Sequence, residues 1–155
     1  MKNLTYLLIF IFLSSCGYTS IYQIDQKLNI KLEEIKYSGD KKINRQIATG
    51  LKKYKNDDTN NIFDLTIKSD KKESIVTKDK KGNATSYKLI LSVNLDLNSN
   101  SSNKTFTKKF IKDMSFNSRS NKFELNQYRR ELEKNMISQI LQDIDIFLRN
   151  IKDDL

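Results

Sequence analysis

The 155-residue chain has no histidine, one cysteine and four glycines. Without histidine or a second cysteine, the usual nitrogen and sulfur ligands of zinc and copper are missing. Histidine-dependent triads and Cys–His nucleophiles are excluded with them. Four glycines leave little for a loop that wraps phosphates, and no G-x-G-x-x-G, Walker or nucleophile-elbow pattern occurs. Carboxylate-only chemistry stays open, as in a cell-wall glycosidase, which sets two acids roughly 5–9.5 Å apart across a cleft. Here, however, the acidic residues sit mostly among lysines on polar faces. The composition argues against an enzyme, and no metal or cofactor is expected.

The lone cysteine has no partner for an internal disulfide. Its position suggests another use. Leu13-Ser14-Ser15-Cys16 closes an apolar run from Leu4 to Leu13, with Lys2 ahead of it. That run matches the hydrophobic region of a secretory leader and is shorter than the roughly 20 residues that span a bilayer. An ordinary signal anchor with an incidental cysteine would carry the same run. The tetrapeptide reads instead as a lipobox, so residues 1–15 form a leader and 16–155 a single periplasm-facing domain. Cys16 is then the lipid attachment site, carrying diacylglycerol and an N-acyl chain. Each buried CH₂ contributes about 0.8 kcal/mol, so several chains hold a protein at a membrane where one would not.

Loss of Lys2 with the leader takes the formal charge from +9 to +8. An exported basic domain has few nucleic acids to meet; anionic head groups, phosphorylated glycolipids and acidic proteins are its natural targets. Lysine serving simply as a solubilising residue is the competing explanation. A DNA-binding envelope protein would interleave aromatics with lysines on an exposed sheet face. The aromatics of this chain mostly share parity with aliphatics and read as core.

Residues Leu28 to Tyr37 alternate, with a parity shift after Leu32 that predicts a bulged strand. Ser38-Gly39-Asp40 supplies a turn and a helix cap. Ile43, Ile47, Leu51 and Tyr54 form a helical stripe. Phe63, Leu65 and Ile67 begin a strand that continues through Ile75-Val76-Thr77, and Lys80-Lys81-Gly82-Asn83 turns it. Tyr87, Leu89, Leu91, Val93, Leu95 and Leu97 occupy every second position of the cleanest strand. After a polar loop, Thr105 to Phe116 reads as a fourth strand. Asn121 and Glu124 resemble a capping box, opening a helical stripe from Leu125 to Leu155. Thirty-odd residues at ~1.5 Å each would outrun a sheet of ordinary strands, so either one end projects or meets a partner, or the C-terminus frays beyond Arg149. The order βαβββα, ending in a long C-terminal helix, predicts an α+β two-layer sandwich. Its sheet is four-stranded and mainly antiparallel, with two helices packed on one face.

The opening Cys16-Gly17-Tyr18-Thr19-Ser20-Ile21-Tyr22 resembles the Cys-Gly-aromatic-x-Pro-Leu-Tyr start of the LptE family. These are outer-membrane lipoproteins of lipopolysaccharide assembly, and the closer match is to their shorter alphaproteobacterial form. Ser20 stands where that family commonly has proline, and Ile21 replaces leucine. Mature length and element order agree with the family. The resemblance implies a non-enzymatic plug that helps a lipopolysaccharide-transport β-barrel (LptD-like) assemble and place lipopolysaccharide in the outer leaflet. Partners would be the barrel and the glycolipid, with no nucleic acid. Gly17 after the cysteine resembles the sorting rule for release to the outer membrane. Lysine clusters could meet the phosphates of such a glycolipid. The best is Lys78, Lys80 and Lys81, with Lys71 and Lys72 upstream; Lys108 and Lys109 form a second. A scaffold lipoprotein of another outer-membrane machine, for barrel insertion or secretion, shares the same anchor and fold class.

Mass spectrometry of the membrane-bound chain should find residues 1–15 removed and Cys16 acylated at the new N-terminus. An intact leader, or an unmodified sulfur, would remove the anchor from this account.

Overall fold

A strand, a helix and a parallel strand form the first unit. In the computed structural model, which describes residues 30–55, 59–102 and 104–151, β1 spans Lys31–Gly39. Its pairing slips between Leu32 and Ile35, which is the expected bulge. Leu28 lies outside the described residues. Gly39 ends the strand with φ +91°, and a Cβ there would stand 1.8 Å from the Ser69 carbonyl oxygen. Both the backbone sign and the close approach require glycine. Asp40 then caps α1 (Lys41–Leu51), accepting from the amides of Lys42 at 2.9 Å and Ile43 at 3.0 Å. Ile43, Ile47 and Leu51 are buried on one side of α1. The stripe reaches Tyr54 not as α-helix but through a 3₁₀ turn, Lys52–Lys55, which buries the ring.

β2 (Ile62–Lys78) runs parallel to β1, and β3 (Ala84–Ser99) and β4 (Thr105–Asn117) follow antiparallel, in the sheet order β1-β2-β3-β4. Bulges around Thr77 let the consecutive apolar residues Ile75 and Val76 sit in one strand. Along β3, Leu89, Leu91, Val93, Leu95 and Leu97 are at most 1% exposed, facing Phe63, Leu65 and Ile67 of β2 and Phe110 and Phe116 of β4 in one core. The aromatics at these parities pack inward. Tyr87 stacks on Phe116 at 5.5 Å between centroids, and Phe116 meets Tyr128 edge-on at 6.1 Å.

α2 (Lys122–Asn150) covers the same face as α1. Asn121 caps it, its Oδ1 accepting from Phe123 and Glu124 amides. Glu124 returns to the Asn121 side chain at 3.3 Å rather than to its backbone. Leu125, Leu132, Met136, Ile140, Ile144, Leu148 and Ile151 are all buried, so the helix is packed from end to end. The expectation that it would outrun the sheet is corrected. Its 29 residues rise about 44 Å, whereas the 17 residues of β2 extend about 55 Å. The strands, not the helix, are unusually long. Leu155 lies outside the described residues.

Gly39→Ala should lower unfolding free energy in urea titrations by more than about 2 kcal/mol, through positive-φ strain plus the clash. Gly82→Ala should cost about 1 kcal/mol, because Gly82 has φ +85° but nothing within 4 Å of a new Cβ.

Candidate functional site

Three polar constellations stand out, and strand parity decides what each can reach. The first is the β2–β3 hairpin tip. Asp79 closes this turn, its carboxylate accepting from the amides of Lys81 at 2.8 Å and Asn83 at 2.9 Å and from the Asn83 side chain at 3.0 Å. Those hydrogen bonds from Asn83 and Lys81 hold its pKa below the ordinary carboxylate value. The acid is therefore committed to the backbone. Lys78, Lys80 and Lys81 are exposed around it, and none is ion-paired among the described residues.

Lys71 and Lys72 are not one extension of that cluster. Lys71 lies opposite Leu91, on the helix side, while Lys72 lies opposite Ile90 on the open face. Lys71 reaches Glu133 of α2 at 3.4 Å and Asp40 at 3.8 Å. Lys42 of α1 approaches the same carboxylate at 2.9 Å. Glu133 is only 4% exposed, so one buried acid ties α1, β2 and α2 together. The pair Lys108 and Lys109 is also split, because successive strand residues point to opposite faces. Lys108 lies opposite Leu95 on the helix side and Lys109 opposite Asn94 on the open face.

The third constellation was not legible beforehand. A groove of ≈ 570 Å³ runs between the end of α1 and the C-terminal half of α2, lined among others by Gly50, Tyr54, Leu141, Asp145 and Arg149. Gly50 lets the helices approach, since a Cβ there would be 2.7 Å from Leu141. Asp145 accepts from Lys53, from the Tyr54 hydroxyl and, at 2.9 Å, from Arg149. Burial pushes the Asp145 pKa up, but the hydrogen bonds from Lys53 and Tyr54 and the charges of Lys53 and Arg149 leave it lowered overall. Burial, then the bond to Asp145, raises the Tyr54 hydroxyl. The i, i+4 spacing of Asp145 and Arg149 was the only sequence signal available. A second groove, ≈ 400 Å³, lies between β4 and α2 and contains Asp143. Each groove thus carries a single carboxylate. Among the described residues no group of three or more potential ligands could hold a metal ion, and no helix is long and apolar enough to cross a membrane. Cys16 and the segment Gly17 to Gln23 lie outside the described residues.

No protein-family model and no curated protein sequence matches the chain. Solved structures do. Rare lipoprotein B from Shewanella oneidensis superposes with a TM-score of 0.61 at 15% identity, covering 79% of this chain and 98% of that one. The fold is the one bacterial lipoproteins of this kind share. A minor lipoprotein from Acinetobacter baumannii gives a TM-score of 0.50 at 16% identity, over 83% of this chain and 94% of that one. Lipoprotein B from Nitrosomonas europaea gives 0.50 at 12% identity, over 84% and 89%.

Because the Asp145 pKa is lowered by folding, its contribution to stability is complete above the unfolded aspartate value, about 3.9. That contribution is lost as pH falls through the lower folded value. Asp145→Asn should therefore flatten the dependence of urea stability on pH below about 4. An unchanged pH profile would show that the three donors do not act on this carboxylate.

Proposed function

We propose that this chain is a lipid-anchored outer-membrane protein that performs no covalent chemistry and assists a lipopolysaccharide-transport β-barrel, occupying its lumen and presenting surface to the glycolipid in transit. One observation carries the reading. The tetrapeptide Leu13-Ser14-Ser15-Cys16, read as a lipobox, precedes a domain whose fold matches nearly all of rare lipoprotein B from Shewanella oneidensis. The same anchor-plus-domain architecture is what the LptE resemblance of residues 16–22 implies. The long two-layer shape supports it, since a plug needs a stiff body more than a deep pocket. Neither described groove pairs the two carboxylates that glycoside hydrolysis needs. Affinity purification of the tagged chain from its own envelope should recover a large barrel with a lipopolysaccharide-transport periplasmic domain. Recovery of a barrel-insertion or secretion complex instead would overturn the assignment.

The glycolipid contact we assign to Lys78, Lys80 and Lys81. Their ammonium groups project from a tip whose acid is occupied by backbone donors, which leaves them for external phosphates. Replacing all three by glutamate should weaken binding to purified lipopolysaccharide at least tenfold and abolish its salt dependence. Stability should change by less than about 0.5 kcal/mol, because the sites are exposed. Unchanged binding in a folded triple variant would remove the hairpin from the contact.

A further inference from the structure

Among the described residues, no strand pairs with the outer side of β4. β4 is 13 residues long, pairs with β3 without a bulge and stands last in the strand order. The opposite edge, β1, has nine residues and an irregularity between Leu32 and Ile35, a feature that discourages added strands. No such interruption protects β4.

The register fixes which backbone groups of β4 face outward. Ser99 N donates to the Lys104 carbonyl at 2.9 Å, and Ser118 N to the Thr85 carbonyl at 2.8 Å. In an antiparallel ladder, residues bonded to one neighbour alternate with residues whose N–H and C=O point the other way. Even-numbered residues of β4 therefore bond β3, and odd-numbered ones direct their groups away from it. Lys109, Ile111 and Asp113 are among the outward set, their side chains on the open face, and Ile111 is 53% exposed.

We propose that this edge pairs with β4 of a second copy of the chain, antiparallel, with Ile111 on the two-fold axis. In that register every outward-bonding residue meets another outward-bonding residue. Ile111 faces Ile111, Thr107 faces Ser115, and Lys109 faces Asp113 twice by symmetry. A slip of two residues sets Ile111 against Lys109 or Asp113; a slip of four sets lysine on lysine or aspartate on aspartate. Edge lysines ordinarily deter an incoming strand, and only the Ile111-centred register turns Lys109 into an attractive contact. Asp113 already holds Lys88 at 2.9 Å through Oδ2 and keeps its other oxygen for the incoming lysine. On the helix side the same register puts Met114, 37% exposed, opposite Lys108 and diagonal to Phe110 of the other copy. Lys108 and Phe110 line the ≈ 400 Å³ groove with Ile146 and Phe147, so each copy offers Met114 as a flexible apolar side chain and the other copy's groove as a place to seat it. This surface is separate from the hairpin tip, and the pairing concerns the chain before it is seated in a barrel.

The test uses Ile111→Cys in the full chain, in its own membranes. Directly opposed residues of a bonded pair have Cα atoms about 5.5 Å apart, within disulfide reach. Mild oxidation should yield a covalent dimer that is absent from the unsubstituted chain and from Lys72→Cys, which lies on β2. Adding Lys109→Asp should cut the cross-linked fraction about tenfold by opposing like charges at two places. Adding Asp113→Lys to that variant should restore it. A chain with both Thr107→Cys and Ser115→Cys provides a second, independent link in the same register. No dimer from either cysteine design, a dimer indifferent to Lys109→Asp, or a cross-link to a different protein would each overturn the proposal.

Discussion

The apolar face of β3 is the constraint from which the rest of the molecule follows. Five aliphatic residues at strictly alternate positions are at most 1% exposed. Burial of each such side chain is worth roughly 1.5–3 kcal/mol, so their sum is comparable with the whole stability of a domain. Because a slip of one residue would turn this entire face to water, β2 and β4 are held in register on either side. The helices must then cover the same face. This explains why α2 has buried residues along its whole length, and why a long strand and a long helix occur in the same small domain.

Polar groups inside this arrangement pin elements to one another. Glu133 is held between Lys42 and Lys71, and Asp145 gathers Lys53, Tyr54 and Arg149. A buried carboxylate is tolerated only where cations or donors compensate its lost hydration. Glu133 consequently ties both helices to β2, and Asp145 joins α2 to the 3₁₀ turn that follows α1. At the β1–α1 turn, Ser69 Oγ bonds Asn44 Oδ1 at 2.7 Å and Asn44 Nδ2 bonds the Ser38 carbonyl at 3.0 Å, sealing the one parallel connection. With the acids so engaged, much of the remaining positive charge is left to the surface. Among the described residues, the hairpin tip and the outer side of β4 are where that charge and an exposed isoleucine lie.

Much of the fold was legible in the residues themselves. The β3 alternation, the parity shift after Leu32, the Asp40 and Asn121 caps and the α2 stripe each record a local period or a local hydrogen bond. The turn between β2 and β3 was legible for the same reason, since it is set by neighbouring residues. Lys71 and Lys72, and Lys108 and Lys109, were misleading as pairs because adjacency in a strand means opposite faces in space. Nor did the sequence indicate that Glu133 and Asp145 would find lysines 62 and 92 positions away.

What the chain determined alone was therefore whatever lies within a few residues: periods, caps and turns. The tertiary structure decided the parallel pairing of β1 with β2, the lengths of strand that α2 must cover, and the company of each charged side chain. It also decided that β4 would be an edge, and which of its backbone groups point outward. Those outcomes depend on pairing between distant segments, where side-chain direction and burial are set by a neighbour that the local sequence does not name.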